Sequence, residues 1–256
     1  MDYYFNPNIC INYKSPVQKI RLMSEEWTER NIFCPNCGGS IVKFPNNNPA
    51  SDFYCKSCKE EYELKSKKNS FGNTIVDGAY SKMSEKIYNN TVPNFFLLNY
   101  DSQNFSIINF FVIPKHFLTL DLLNKRNPLS ANAKRSGWIG CNILIGEIPF
   151  SGRIYYFKNK EREEKENILK RWQSTLFLRE ENNLRGWTLD IMKCIDKIGK
   201  EEFELEDIYK YESYLRAKYS SNKHIKDKIR QQLQFLRDKG YLTFVNNRGK
   251  YKRSIL

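Results

Sequence analysis

Apolar positions in the first 150 residues switch between a helical and a strand period. Residues 15–31 place Val17, Ile20, Leu22, Met23 and Trp27 roughly on one side of a helix. Asp52–Tyr54 and Glu61–Lys65 are short, aromatic-rich runs that alternate as strands do. Asn73–Tyr88 carries Ile75, Val76, Ala79, Met83 and Ile87 at helical spacing. Pro93 then opens two apolar runs, Phe95–Tyr100 and Ile107–Ile113, which read as strands, and Pro114 closes the second. Arg153–Phe157 predicts a further strand, and residues 158–173, dense in Lys, Glu and Arg, read as a solvated helix.

Beyond a polar stretch at 180–184 the pattern restarts. Helices are expected at Thr188–Ile198, at Glu204–Tyr219 and over about 222–239, the last with Ile225, Ile229, Leu233 and Leu236 on one stripe and a stop at Gly240. Tyr241–Val245, a turn through Arg248 and Gly249, and Lys250–Arg253 then form a hairpin. Three helices and a hairpin describe a winged helix-turn-helix. The expected architecture is an α/β domain over residues 1–183 followed by an α+β winged-helix domain over 184–256.

The cysteines add chemistry to the first domain. Cys34-Pro-Asn-Cys37-Gly-Gly resembles a zinc knuckle, and Cys55-Lys-Ser-Cys58 follows after a gap of 17 residues, a spacing suited to a two-knuckle zinc site. Four thiolates suit a closed tetrahedral structural zinc with no open position. The alternative is a pair of disulfides. No signal-peptide pattern is present, so a reducing bacterial cytoplasm and zinc are the expectation. Cys10, Cys141 and Cys194 read as small buried residues.

The same stretch carries carboxylates. If residues 55–60 form the turn, antiparallel pairing sets Tyr54 opposite Glu61 and Asp52 opposite Glu63, about 5 Å apart on one face. Lys65 falls on that face too, because strand side chains alternate with period two. Two carboxylates so placed can hold Mg²⁺, and Lys65 can orient a water or stabilise developing negative charge. Taken alone, the triplet is better explained as a solvated strand face than as a catalytic site. Glu163-Glu164-Lys165 lacks strand character and an upstream Asp.

Charge names the partner. The chain carries 42 Lys and Arg against 29 Asp and Glu, a net +13. Residues 216–256 alone hold twelve basic and two acidic side chains, the footprint expected on duplex DNA. The apolar runs are too short to span a bilayer, so no membrane partner is expected. On the third helix, His224, Gln231 and Gln234, flanked by Lys223 and Arg230, face away from the apolar stripe and can read bases; Arg248, Lys250 and Lys252 on the wing suit phosphates. For each, a solvated surface is the competing reading.

The order helix, two carboxylate-bearing strands, helix, then strands resembles the α/β core of PD-(D/E)xK nucleases, although Pro49 and Ser51 precede Asp52 without a direct Pro-Asp step. More closely, the chain resembles the DpnI restriction endonucleases, nearly end to end. The likeness rests on Cys34-Pro-Asn-Cys37, Asp52-Phe-Tyr-Cys55, Glu63-Leu-Lys65-Ser-Lys-Lys68, Asp77-Gly-Ala-Tyr80, Gly137-Trp-Ile-Gly-Cys-Asn142, Arg185-Gly-Trp-Thr188 and Lys228-Ile-Arg-Gln-Gln-Leu233. It implies a type II, methyl-directed endonuclease that cuts GATC when the adenine is N6-methylated, with both domains reading the site. It further implies Asp52, Glu63 and Lys65 as catalytic, Mg²⁺ on Asp52, Glu63 and the Leu64 carbonyl, and structural Zn²⁺ on Cys34, Cys37, Cys55 and Cys58. Trp138 matches a tryptophan that meets the adenine methyl groups; an indole face can bury a methyl for roughly 0.8 kcal/mol per carbon unit. Without the resemblance, Trp138 reads as an ordinary core aromatic, as Trp187 does.

The chain is expected to be a monomer in solution. Two alternatives remain: a zinc-stabilised winged-helix reader of methylated DNA that does not cut, or a nuclease of different target specificity. Histidine-based nuclease chemistry is disfavoured, because His116 and His224 are the only histidines and neither sits in an acidic cluster.

Overall fold

Phe95, Phe96, Leu97 and Leu98 are all fully buried, as expected of a strand covered on both faces, and the sheet of the first unit is built around them. The computed structural model describes residues 2–45, 51–180, 185–246 and 249–254. They divide into two units, Met1–Glu147 with Gly152–Gln173, and Ile148–Ser151 with Ser174–Leu256.

In the first unit, α1 (Pro16–Asn31) precedes β1 (Ile41–Lys43), β2 (Phe53–Cys55) and β3 (Glu61–Lys68). Next come β4 (Ile75–Ala79), α2 (Tyr80–Tyr88), β5 (Asn94–Tyr100) and β6 (Ile107–Ile113). The unit closes with β7 (Leu123–Lys125), β8 (Gly140–Ile143), β9 (Ile154–Lys158), β10 (Glu161–Arg162) and α3 (Lys165–Gln173). Seven strands form a mixed sheet in the order β1-β2-β3-β5-β6-β9-β10, and β4-β8-β7 form a separate small one. Within the large sheet only β3 and β5 run parallel. Parallel neighbours need a crossover, and here it is made by β4 and α2.

One apolar side of α1 packs on the sheet through Trp27, which lies against Phe110 and Phe157. Tyr62 on β3 stacks on Phe96, with ring centroids 4.3 Å apart. The β2–β3 register is Phe53↔Tyr62 and Tyr54↔Glu61, as the hairpin spacing predicts.

Two expectations for this unit are corrected. The single helix expected at Asn73–Tyr88 is strand β4 followed by α2; β-branched Ile75 and Val76 enter a ladder with β8, and the helix begins only at Tyr80. Residues 158–173 are not simply a solvated helix. The strand β10 takes their start, and α3 buries Ile168 and Trp172 completely. Trp172 donates its indole N–H to Asn36 Oδ1 at 2.9 Å, and Gln173 donates to the Asn36 carbonyl at 2.7 Å.

The second unit contains α4 (Arg185–Ile198), β11 (Glu202–Glu204), α5 (Leu205–Tyr209), α6 (Glu212–Lys218), α7 (Ile225–Asp238), β12 (Leu242–Phe244) and β13 (Lys250–Arg253). Its three strands pair in the order β11-β13-β12. This is a winged helix: α7 buries Ile225, Ile229, Leu233 and Leu236, and β12–β13 is the wing hairpin. The helix expected at Glu204–Tyr219 is broken into α5 and α6, with Glu204 and Asp207 closing a capping box at the start of α5. Phe203, fully buried beside that cap, belongs to a strand that apolar spacing did not reveal.

Truncating Trp172 removes the full side chain that supports Asn36 and leaves a cavity. Trp172→Ala is expected to cost about 3–5 kcal/mol of unfolding free energy, read as a lowered urea midpoint at unchanged slope.

Candidate metal centre and catalytic face

The Cys34–Gly39 turn is held by two backbone bonds, Gly38 N–H to the Cys34 carbonyl and Cys34 N–H to the Gly39 carbonyl, each 2.8 Å. Gly38 sits at φ +73°, which a side chain would strain. The second turn is closed by Cys55 N–H to Glu60 and Lys59 N–H to Cys55. These turns bring Cys34, Cys37, Cys55 and Cys58 together with all four Sγ atoms within 4.8 Å of one another. Sulfur pairs at 3.4 Å (Cys34–Cys58) and 3.5 Å (Cys37–Cys55) fit a tetrahedral zinc with Zn–S bonds near 2.3 Å. Burial raises the Cys55 thiol, but the amides of Cys58 and Ser57 outweigh it and bring it down to about 7. Burial holds the Cys34 thiol up, against a hydrogen bond from Tyr62, whose hydroxyl lies 3.1 Å from the sulfur. All seven cysteines are free, and Cys10, Cys141 and Cys194 are buried.

Tyr62 leads from the cysteine cluster to the carboxylates, because the next residues of its strand are Glu63, Leu64 and Lys65. Asp52 accepts the backbone N–H of Leu64 at 2.7 Å. Glu63 pairs with Lys65 at 2.5 Å, and the same ammonium reaches Asp77 Oδ1 at 3.0 Å. Glu63 and Lys65 therefore lie on β3, Asp52 reaches them from the residue just before β2, and Lys65 stands between Glu63 and Asp77. Among the described residues, the four cysteines are the one set of three or more metal-type ligands that closes so tightly. Burial lifts Glu63 above the usual carboxylate range; Lys65 pulls it down while Asp77 and Asp52 push it up. Burial likewise raises Asp52, with a further push from Glu25. Burial lowers Lys65, but Glu63 and Asp77 more than restore its charge. Carboxylates held high by burial and by one another are short of positive charge, and that donor set fits a hard divalent cation.

A second side of Asp52 lines a cavity of about 590 Å³ with Arg21, Ser24, Glu25, Ser66 and Lys68. Glu25 is buried and paired with Arg21 at 2.6 Å and with Lys43. Neither Glu25 nor Asp77 was singled out from the sequence as a site residue. The detectable signals are an acidic residue beside the apolar stripe of α1 and an aspartate inside a β-branched run.

Trp138 is half-buried, in a basic loop with Arg126, Lys134 and Arg135. The loop is tied by Leu129 N–H to the Trp138 carbonyl and Trp138 N–H to the Arg135 carbonyl, both 3.0 Å. The indole folds back on Gly140, where an added Cβ would stand 2.8 Å from the ring. It is not the core aromatic that the residues alone suggest. Trp187 is also only partly buried, and it stacks on Tyr219 at 3.7 Å.

In the winged helix, Lys223 precedes α7 and His224 occupies its N-cap position without a side-chain capping bond; both are exposed, as are Arg230, Gln231 and Gln234. Arg230 is engaged by Asp227, and the Gln231 amide oxygen accepts from Lys228 at 2.8 Å. Lys250 pairs with Glu202 at 2.9 Å and Lys252 with Glu201 at 2.8 Å. Arg248 lies outside the described residues, as does Pro49.

Among the described residues, no helix is long and apolar enough to cross a membrane. Comparison with protein families gives two matches. The model described as DpnI, Dam-replacing family, covers residues 1–181, and that described as the Dam-replacing HTH domain covers residues 183–253.

Zinc binding by the cluster is directly measurable. The wild-type chain is expected to hold about one zinc; Cys55→Ser is expected to lose it, with a lower melting temperature. Retention of metal and melting point by the variant would remove the cluster from the zinc reading.

Proposed function

The chain belongs to the DpnI, Dam-replacing family, and from that premise we propose that it is a type II methyl-directed restriction endonuclease. The family implies a restriction nuclease with an HTH domain for DNA. The finer reading is Mg²⁺-dependent hydrolysis of DNA phosphodiester bonds at GATC sites containing N6-methyladenine, in a bacterial cytoplasm, by a chain that is monomeric in solution. The observation that carries it is the Lys65 ammonium, half-buried and charged on β3 between Glu63 and Asp77 and one residue from the amide that fixes Asp52.

Asp52, Glu63 and the Leu64 carbonyl are the residues that would hold Mg²⁺, which supplies charge neutralisation and a more acidic water when bound. Lys65 offers a fixed cation where negative charge grows on the phosphate, and being charged it acts as a donor rather than a base. The Leu64 N–H keeps the Asp52 carboxylate from rotating away. Tyr62, bonded to Cys34, pins the start of the same strand, so the structural zinc site and the catalytic carboxylates share one backbone.

Trp138 offers an indole face to a methyl group, and the basic loop around it suits phosphates. Lys223, His224, Arg230, Gln231 and Gln234 are proposed to face the major groove, and Arg248, Lys250 and Lys252 the backbone. The ion pairs of Lys250 and Lys252 with Glu202 and Glu201 must loosen for that, so their contribution falls with rising salt.

The experiment is cleavage of matched plasmids from adenine-methylating and non-methylating hosts in Mg²⁺, with wild type and Lys65→Ala. Cutting of the methylated plasmid alone, lost in the variant, is the expected result. Methyl-dependent binding without cutting would make the chain a reader, and cutting of both plasmids would remove the methyl specificity. In the same assay Gly140→Ala, which must push the Trp138 ring aside, is expected to lower discrimination between the plasmids while leaving zinc content unchanged.

A further inference from the structure

The small sheet β4-β8-β7 touches both the lysine and the tryptophan. Asp77 lies on β4, its side chain nearly buried, and one oxygen, Oδ1, accepts from Lys65 Nζ at 3.0 Å and from Gly78 N–H at 2.8 Å. Among the described residues, Asp77 is the member of that sheet whose side chain ion-pairs with Lys65. The β4–β8 ladder pairs Asp77 with Cys141 and Ala79 with Gly140, and its register shifts between these pairs. Gly78 is thus an extra residue on β4, a bulge of the kind that re-aims a side chain. The Cys141 thiol bonds the Gly78 carbonyl at 3.6 Å, and Tyr80 N–H bonds the Ile139 carbonyl at 3.0 Å. Gly140 is the residue on which the Trp138 indole rests. From indole to ammonium the contacts are continuous: Trp138 on Gly140, Gly140 against Ala79, and Asp77 on Lys65.

We propose that Asp77 is a positioning residue that couples the Trp138 loop to Lys65, so that displacement of the indole by the base it meets shifts the β4 bulge and the lysine with it. The inference rests on the nuclease reading above. Glu63 alone cannot serve this purpose, because it lies two residues from Lys65 on the same strand and moves with it. Asp77 reaches Lys65 from a different sheet, so it can report a movement that β3 does not make. Contiguity by itself establishes no coupling; that requires a measured interaction between the two positions.

The test is a double-mutant cycle of Asp77→Asn and Trp138→Ala, read as single-turnover cleavage of a methylated duplex at saturating enzyme. Binding to methylated and unmethylated duplexes is measured in parallel without divalent cation. Asp77→Asn is expected to slow cleavage by about 10²-fold, the scale of a small misplacement of a catalytic group, with binding and methyl selectivity of binding unchanged. Asp77→Glu, which keeps the charge on a longer arm, is expected to recover part of the rate, which separates positioning from misfolding. In the Asp77→Asn background, Trp138→Ala is expected to add no further loss of rate. A wild-type rate in Asp77→Asn would overturn the positioning role, and losses that multiply in the double variant would overturn the coupling. Should wild type bind methylated DNA without cutting it, the nuclease reading fails first, and this inference falls with it.

Discussion

The hydrogen bond from the Leu64 amide to Asp52 fixes the geometry on which the rest of the first unit depends. It exists because β2 pairs with β3 in one register and no other. A slip of one residue would turn Glu63 and Lys65 to the opposite face and bring Tyr62 out of the core. The turn between those strands spans residues 56–60; Cys55 ends β2 and Cys58 lies in the turn, and Cys34 and Cys37 precede β1 at the end where Ile41 faces Cys55. A metal held by the four cysteines at that turn would be a stronger determinant of register than any cross-strand pair, because such pairs contribute only about 0.2–1 kcal/mol each. Tyr62 joins the two: its ring stacks on Phe96 in the core and its hydroxyl meets Cys34.

Much of this was legible in the chain. The cysteine spacing, the β2–β3 pairing and the winged helix follow from short-range patterns, where each residue's neighbours in sequence are its neighbours in space. The misread elements share a cause. Residues 73–88 carry apolar side chains that satisfy a helical period, yet Ile75 and Val76 are claimed by β8, more than sixty positions away in sequence. Single-sequence periodicity cannot register a partner so distant. Asp77 was hidden for the same reason, since its role depends on Lys65 and on the bulge opposite Cys141. Trp172 was hidden by its charged neighbours: two apolar residues, Ile168 and Trp172, at a spacing of four are enough to dock α3 against the Cys34–Gly39 turn.

Trp138 illustrates the limit of reading residue type alone. Tryptophan beside two glycines suggests core packing, because glycine permits close approach. The structure uses that permission differently. Gly140 gives the indole a flat seat at the rim, and the surrounding Arg126, Lys134 and Arg135 keep the loop wet. A large apolar ring on a small, ordered, basic loop suits a binding surface better than a core.

Electrostatics divides the labour between the two units. The last forty-one residues carry twelve basic against two acidic side chains, and such charge contributes affinity for any duplex without distinguishing sequence. Asp52, Glu63, Asp77 and Glu25 crowd the other end of the problem, with Lys65, Arg21 and Lys43 as their paired cations. A phosphate approaching such a face meets Asp52 and Glu63, both already held high by burial and by neighbouring carboxylates. Under the nuclease reading, a divalent cation is therefore needed for approach as well as for chemistry, and basic contacts elsewhere must hold the duplex until it arrives. Affinity and cleavage then respond to different variables: binding to salt, through the lysines and arginines, and cutting to the cation, through Glu63, Leu64 and Lys65 of one strand, Asp52 beside its neighbour and Asp77 from another sheet.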